Sequence, residues 1–306
     1  MSETRFGWIG LGNMGWPMAR NTKAAGLSLN VFDINQDVLG RFASEFDSGR
    51  SSSLQGLGEA SDVAITIVPD GKVVRRICFG DGDNLLGGLK PGSILVDMSS
   101  SEPTGTRELG AELKAKGITL IDAPVSGGAH GADAGTLSIM VGCDDEEAFK
   151  RVEPMFKATG KNVFRCGGLG NGHAMKCLNN YLSAVGLSAA NEALIIGKKF
   201  GLDAGTMVDI WNVSTGRNAS TETKFRQKVL PRTYGSGFAA SLMAKDVGIA
   251  NGLAKSQDLQ APVLEALSGV WNAASEMLPG VDHEVTLEYY ERINGVEIPL
   301  DTGKKD

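Results

Sequence analysis

Short apolar runs alternate with amphipathic stretches through the first half of the chain. The apolar runs have the length of buried strands and lie near residues 6–9, 29–32, 62–69, 93–98, 119–124, 137–141 and 163–164. Helical spacing falls between several of them, near residues 17–25, 72–78, 104–116 and 144–156. Strands that alternate with helices are typical of a mostly parallel sheet with helices on both faces. The pattern therefore predicts an α/β domain with a doubly wound sheet over residues 1–165.

Helical spacing takes over in the second half, where strand patterns disappear. The segments lie near residues 174–199, 203–213, 221–229, 240–255 and 261–276. They predict an all-helical domain over residues 166–296, followed by a polar tail at 297–306. In the first helix we expect five apolar side chains to pack inward, namely Cys177, Leu178, Leu182, Val185 and Leu187. We expect the active cleft between the two domains.

The turn after the first strand carries the pattern of a dinucleotide-binding loop. It reads Gly10-Leu11-Gly12-Asn13-Met14-Gly15 and leads directly into a helix. In this context the first glycine makes a tight turn, the second lets the backbone approach a pyrophosphate, and the third lets the helix lie close to the strand. The start of the helix offers unpaired N–H groups to the phosphates. We expect a Rossmann-type site here rather than an ordinary glycine-rich turn.

The second strand ends in an acidic residue that bears on the choice of cofactor. Asp33 follows Gly15 by 18 residues, and no arginine follows it in Ile34-Asn35-Gln36. A carboxylate at this place hydrogen-bonds the ribose hydroxyls and repels a 2′-phosphate. The sequence therefore favours NAD over NADP as the cofactor.

A second glycine-rich turn follows a later strand. Asp122-Ala123-Pro124 leads into Ser126, Gly127 and Gly128, at the strand end where open α/β sheets bind ligands. The serine hydroxyl and the bare N–H groups of the glycines suit a substrate carboxylate, and they suit a sulfonate or phosphonate equally well. The same residues also make good structural turns, so the pattern alone leaves both interpretations open.

A third glycine-rich turn, at residues 167–172, runs into the longest predicted helix. On that helix Lys176 and Asn180 are four residues apart and share a face, with Asn179 beside them. We interpret Lys176 as a proton donor and acceptor and Asn180 as the residue that fixes its geometry. The alternative is that the lysine is only a solvated surface charge.

Two further stretches could contact ligands. Lys245-Asp246 precedes an Ala- and Gly-rich helical run, and Phe238 lies shortly before it. Ser99 to Ser101 follow a strand end, where a nicotinamide would lie, and they also suit a helix cap. A capping Asp beside a solvated Lys is the simpler interpretation of the first stretch.

Composition narrows the class of protein. The 306 residues are 42% hydrophobic and 22% charged, with a net charge of −6, which argues against a nucleic-acid or anionic-membrane surface. No apolar run approaches the length of a membrane span, and the first residues show no signal peptide, so we expect a cytoplasmic protein. The four cysteines show no close pairing, and the three histidines form no ligand-spaced cluster, so we expect reduced thiols and no metal site.

Taken together, these motifs resemble the β-hydroxyacid dehydrogenase family over nearly the whole chain. The family includes 3-hydroxyisobutyrate dehydrogenases, tartronate semialdehyde, glyoxylate and succinic semialdehyde reductases, and L-threonate dehydrogenases. The similar motifs are Gly10 to Ala19, Asp122 to Gly128, Gly170 to Asn180, and Lys245-Asp246. Imine reductases are also similar, but they replace the lysine found here at position 176.

The resemblance implies a role for each of these residues. It implies that Lys176 is catalytic and that Asn180 and Asn179 hold the substrate beside it. It places the substrate acid group at Ser126, Gly127 and Gly128, with Phe238 and Asp246 lining the cleft. It implies cofactor contacts along the first loop and Asp33, and at four more positions, namely Val68, Pro69, Ser100 and Lys245. It also implies a homodimer or homotetramer.

The sequence leaves the substrate open. The main expectation is NAD-dependent interconversion of a small β-hydroxy acid and its semialdehyde, as in 3-hydroxyisobutyrate dehydrogenase. The alternatives are a tartronate or succinic semialdehyde reductase, an L-threonate-type dehydrogenase, and a non-catalytic dinucleotide sensor. Arg217 could pair with a second acidic group of the substrate, although an exposed arginine is the simpler interpretation.

Overall fold

The structure is a computed structural model, and it describes residues 4–301. The chain divides into two compact units, Met1–Lys176 and Cys177–Asp306. Within the described residues the first unit contains nine strands: β1 Arg5–Ile9, β2 Ser28–Phe32, β3 Gly49–Arg50, β4 Val63–Thr66, β5 Ile94–Asp97, β6 Thr119–Asp122, β7 Val125–Ser126, β8 Leu137–Gly142 and β9 Gly160–Gly167. Seven helices lie among them: α1 Gly15–Ala24, α2 Gln36–Phe46, α3 Leu54–Glu59, α4 Gly71–Phe79, α5 Pro103–Lys114, α6 Gly128–Asp133 and α7 Glu146–Thr159.

The strands form one sheet in the order β3-β2-β1-β4-β5-β6-β8-β7, with β9 beside β8. The run from β3 to β6 is parallel, and β8 is antiparallel to β6 and β7 but parallel to β9. The predicted doubly wound sheet is confirmed. In the parallel run the carboxyl ends of the strands share one edge, and this edge receives the glycine-rich loops.

The core of this unit lies on both faces of the sheet. Successive residues of β5 show this, because Ile94 and Val96 join one buried cluster and Leu95 joins the other. Side chains alternate between faces along a strand, so a strand covered on both sides reads as a continuous apolar run. This explains why these strands were recognisable from the sequence.

Among residues 177–301 the regular elements of the second unit are helices, apart from one isolated β-bridge between Ala239 and Asp282. Its helices are α8 Asn171–Phe200, which begins in the first unit, α9 Ala204–Asn212, a π-helix Thr221–Val229, α10 Ala240–Ser256, α11 Pro262–Met277 and α12 Thr286–Asn294, with a 3-10 turn at His283–Val285. Its core gathers around Trp271, Phe225 and Leu194. The helical prediction is confirmed, although α12 was not predicted. Ile298, in the predicted tail, is buried, and residues 302–306 of that tail lie outside the described residues.

One prediction about α8 is wrong. Leu178 and Leu182 do not pack inward, because 41% and 65% of their surfaces are exposed. The inward face of α8 carries Cys177, Ala184, Leu187 and Leu194, and Leu178 and Leu182 lie on another face. The helix is apolar on more than one side, so the sequence spacing could not show which side meets the core.

No helix within residues 4–301 combines the length and the apolar character needed to cross a membrane.

Candidate active site

The loop between β1 and α1 requires glycine at two of its three motif positions. Gly10 has φ +101°, and a Cβ there would overlap the carbonyl of Ile67. A Cβ on Gly15 would overlap the carbonyl of Gly10. Chain neighbours aside, no heavy atom of the described residues lies within 4 Å of a Cβ built on Gly12. The fold therefore explains Gly10 and Gly15 and leaves open space at Gly12, as a bound pyrophosphate would require.

Asp33 follows β2 and organises the same loop. Its Oδ2 accepts the N–H of Leu11 at 2.7 Å, and its Oδ1 accepts the N–H of Asn35 at 2.8 Å. A carboxylate offers about four acceptor positions, so these two bonds leave capacity for ribose hydroxyls. Ile34, beside it, is 89% exposed. Asn13 is exposed, and Met14 precedes the first residue of α1.

The loops after β4 and β5 are bonded to each other. The hydroxyl of Ser99 accepts the N–H of Val68 at 3.0 Å. Buried Asp97 accepts the N–H of Ser99 at 2.9 Å and the hydroxyl of Ser101 at 2.7 Å. Ser100 therefore lies between two residues that are held by one carboxylate. Val68, Pro69 and Ser100 all follow parallel strands on the edge that carries the glycine loop.

Asp122, the last residue of β6, anchors the start of α8. Its carboxylate accepts the N–H of Gly170 and the N–H of His173, both at 2.7 Å. A Cβ on Gly172 would overlap the carbonyl of Met140, so glycine lets the helix meet the sheet. Burial raises the pKa of Asp122, and the two N–H bonds oppose that effect. Lys176, partly buried, follows His173 by three residues on this anchored helix.

The predicted substrate loop begins at the same aspartate. Ser126 ends β7, where it pairs with Ser138 of β8. Gly127 and Gly128 have φ values of +135° and +63°, a region that favours glycine. Gly128 begins the short helix α6. In the sheet order β7 lies at the opposite end from β2, so Ser126 and Asp33 lie toward different ends of the sheet.

In the second unit four predicted site residues are joined by direct contacts. Asn180 donates to Asp246 Oδ2 at 2.6 Å, and Asn179 donates to Asn180 Oδ1 at 3.2 Å. Asn180 and Asp246 are 6% and 1% exposed. Lys245 Nζ lies 3.2 Å from Asp246 Oδ1. The structure therefore brings the asparagine pair together with the Lys245-Asp246 motif.

Phe238 is held by a network that the sequence did not reveal. Its N–H donates to Asp282 Oδ2 at 3.3 Å, its carbonyl accepts the N–H of His283 at 2.9 Å, and its ring meets the His283 ring edge-on. Lys224 Nζ lies 2.7 Å from His283 Nε2. Asp282, His283 and Glu284 have the side chains of metal ligands, but the ammonium group of Lys224 already meets the imidazole.

Two buried residues at the start of α8 and the end of β6, His173 and Asp122, were given no role from the sequence. Asp122 begins the motif that runs to Gly128, and its place at the end of a predicted strand could have indicated a role. His173 is 1% exposed, and its ring contacts come from distant parts of the chain. Nothing in the local sequence indicates such contacts.

Two family models match consecutive parts of the chain. Residues 5–168 match the NAD binding domain of 6-phosphogluconate dehydrogenase. Residues 170–290 match a model described as NAD-binding of NADP-dependent 3-hydroxyisobutyrate dehydrogenase.

Known proteins are similar over most of the chain. A 2-(hydroxymethyl)glutarate dehydrogenase of Eubacterium barkeri is 33% identical over 295 residues, covering 96% of this chain and 97% of that protein. An NAD-dependent L-serine dehydrogenase of Pseudomonas aeruginosa is 38% identical over 265 residues, covering 84% and 87%. The structure of Mycobacterium tuberculosis 3-hydroxyisobutyrate dehydrogenase with L-serine has a TM-score of 0.85 at 30% identity, covering 94% and 99%.

Proposed function

We propose, from the premise that this chain belongs to the β-hydroxyacid dehydrogenase family, that its substrate is a small β-hydroxy acid and that NAD is the preferred cofactor. The chain is a nicotinamide-dinucleotide-dependent oxidoreductase of that family. It interconverts the hydroxy acid and the corresponding semialdehyde, with Lys176 as general acid and base.

The anchoring of α8 by Asp122 is the observation that carries this proposal. One carboxylate ends β6, precedes the loop of Ser126 to Gly128, and accepts two N–H groups from the start of the helix that bears Lys176. The loop of Ser126 to Gly128, which suits a substrate carboxylate, therefore follows the same aspartate that holds the start of the helix bearing the Lys176 amine. Such preorganisation is what proton transfer at a bound substrate requires.

The proposed roles follow from these positions. Ser126 and the N–H groups of Gly127 and Gly128 bind the substrate carboxylate. Lys176 takes the hydroxyl proton as the alcohol is oxidised and returns it when the aldehyde is reduced. When bound, the nicotinamide accepts the hydride from the carbon that bears the hydroxyl group, or supplies it to the aldehyde carbon in the reverse direction. The proton and the hydride are then both accounted for.

Two asparagines follow Lys176 along α8, and contacts within the second unit fix both. Asn180 is one turn beyond Lys176 and is fixed by its 2.6 Å bond to Asp246, so its carboxamide has a defined direction. Asn179 is fixed in turn by Asn180. We assign both to the substrate, together with Phe238 and Asp246, and we assign Lys245 to the cofactor.

The open space at Gly12 and the carboxylate of Asp33 support NAD as the cofactor. The chain supplies Asp33 where a 2′-phosphate would lie, and a negative charge there disfavours NADP. Val68, Pro69 and Ser100, at the ends of neighbouring strands, are assigned to the nicotinamide half.

Replacement of one lysine tests the catalytic assignment. We expect Lys176→Ala to bind NADH normally and to lose a factor of about 100 or more in kcat. Lys199→Ala, on the exposed surface of the same helix, is the matched control and should behave as the unmodified enzyme. Normal turnover by Lys176→Ala would remove the amine from the mechanism.

A substrate panel separates the remaining functions. It should contain the hydroxy acids 3-hydroxyisobutyrate, L-serine, 2-(hydroxymethyl)glutarate and L-threonate, each measured as kcat/KM with NAD and with NADP. It should also contain tartronate and succinic semialdehydes, each measured as kcat/KM with NADH and with NADPH. We expect the highest value for a β-hydroxy acid with NAD. Cofactor binding without turnover of any member would favour a dinucleotide sensor instead.

The exposed side of α8 supports a homo-oligomer. Leu182, Ile196 and Phe200 are 65%, 70% and 85% exposed and, with Leu178, form an apolar stripe along one side of the helix. A long apolar stripe suits the same stripe on a second copy of this chain. Light scattering should give a dimer or tetramer, and Leu182→Glu with Phe200→Glu should lower the mass. Leu259→Glu, exposed outside α8, is the control and should leave the mass unchanged.

A further inference from the structure

A buried histidine in the first unit connects the loop after β5 to the start of α8. His173 is 1% exposed, and both ring nitrogens have partners. Nε2 lies 3.1 Å from the carbonyl oxygen of Ser99, and Nδ1 lies 2.8 Å from the hydroxyl of Thr106 in α5. Its backbone N–H donates to Asp122. One residue therefore contacts the ends of two strands and the first turn of another helix.

The bond to Ser99 has a defined direction. A carbonyl oxygen only accepts, so His173 Nε2 carries the proton and donates it. A trans peptide is planar, and its C=O and N–H point in opposite directions. Fixing the carbonyl of Ser99 therefore fixes the N–H of Ser100, which belongs to the same peptide unit. The bonds of Asp97 to Ser99 and Ser101 hold the flanking residues but do not set this plane.

The same histidine is three residues before Lys176 on α8. A rigid helical turn relates the two residues, and the start of that turn is anchored on Asp122. The imidazole ring thus fixes the orientation of the Ser99–Ser100 peptide relative to the helical turn that carries Lys176. We assign Ser100 to the cofactor and Lys176 to proton transfer. Asp97 Oδ2 and Asp122 Oδ2 lie 3.7 Å and 3.8 Å from the ring nitrogens of His173.

We propose that His173 is a positioning residue, which orients the Ser99–Ser100 peptide toward the nicotinamide half of the cofactor and aligns it with Lys176. The inference rests on the proposed function for the role of Lys176. Its cofactor part stands independently, because it concerns only residues of the dinucleotide-binding unit.

Substitutions that keep or remove the donor test this role. Leu fills a similar volume without a donor, Asn is too short to reach Ser99, and the amide of Gln can donate from nearly the position of Nε2. We expect His173→Leu and His173→Asn to raise the Kd for NADH by roughly three- to tenfold, the range of one net hydrogen bond. We expect His173→Gln to stay within about twofold of the unmodified protein. In turnover, kcat should fall for His173→Leu and His173→Asn and stay near normal for His173→Gln. KM for the hydroxy acid should change less than kcat.

A matched control separates positioning from general loss of stability. Thr159→Val also removes a buried hydrogen bond from the first unit, the 3.0 Å bond to the carbonyl of Met155 in α7. It should lower the thermal midpoint and leave the Kd for NADH unchanged. The proposal is overturned if His173→Gln and His173→Asn have the same Kd, or if Thr159→Val changes the Kd as much as His173→Asn does. If His173→Leu does not fold, the comparison of His173→Gln with His173→Asn still tests the proposal.

The outcomes also separate this inference from the proposed function. NADH binding is measured without any acid, so a chain that binds NADH but oxidises no acid refutes the function and leaves the binding comparison valid. Normal turnover with equal NADH affinity in all His173 variants refutes the inference alone.

Discussion

Adding a methyl group at Gly12 should separate the needs of the fold from the needs of the cofactor. Chain neighbours aside, a Cβ at this position meets no heavy atom of residues 4–301 within 4 Å. We therefore expect Gly12→Ala to fold normally, with a change in unfolding free energy within about 0.5 kcal/mol. The same methyl group would stand where a pyrophosphate approaches the backbone.

The expected effect of Gly12→Ala is a weaker affinity for NADH. Displacing the pyrophosphate removes at least one hydrogen bond from a backbone N–H to a charged oxygen, worth about 1.5–3 kcal/mol. At about 1.4 kcal/mol for each tenfold change, the Kd for NADH should rise roughly ten- to hundredfold. Calorimetric titration with NADH measures this change, and thermal unfolding of the same sample measures stability.

A control in another helix completes the experiment. Gly269, in α11, also has open space for a Cβ among the described residues, and there a methyl group should stabilise the helix by about 0.5–1 kcal/mol. Gly269→Ala should therefore raise the thermal midpoint without changing the Kd. A Gly12→Ala protein that binds NADH as tightly as the unmodified chain would refute the assignment of this loop to the pyrophosphate.

Three further predictions follow from the same structure. Gly15→Ala should lower the unfolding free energy by about 1–3 kcal/mol in urea, because its Cβ would overlap the carbonyl of Gly10, and an unchanged midpoint would contradict this. Asp33→Ser should raise the ratio of kcat/KM with NADP to that with NAD by about tenfold or more, and a constant ratio would place cofactor selection elsewhere. Burial favours the neutral form of Asp282, but hydrogen bonds from His283 and nearby donors hold its pKa below the usual range. The ionised carboxylate of Asp282 therefore stabilises the fold above about pH 4, and this contribution is lost as the solution becomes more acidic. Asp282→Asn should reduce the unfolding free energy at pH 7 and should make that free energy decline less steeply in acid. Urea titrations at several pH values measure both effects.

The parts of the fold that follow from local chemistry were predictable from the sequence. Buried parallel strands read as apolar runs, and the order of strand, glycines, helix, strand and acid around Gly10 to Asp33 predicts the Rossmann-type unit. The short elements β3, α3, β7 and α6 were not predicted, because six residues or fewer carry too little periodicity.

The parts that depend on distant contacts were not predictable. His173 contacts Ser99, Thr106 and Asp122, which lie 74, 67 and 51 residues before it in the chain, and no local pattern marks such a residue. Leu182 has the spacing of a core residue but faces outward, since α8 is apolar on more than one side. The assignment of Lys176 and its neighbours to catalysis remains a prediction, supported by how the helix is anchored.

The anchoring of α8 on the last residue of β6 makes the adjoining loop exchangeable. The two N–H bonds to Asp122 hold the helix without using any residue of 126–128, whereas Ala123 and Val125 are buried in the core of the unit. A loop from another member of the family could be grafted into residues 126–128, provided the aspartate and Gly172 remain, without moving the helix. Engineering of acid selectivity in this scaffold can therefore begin with a short segment of the loop, leaving the helix that bears Lys176 in place.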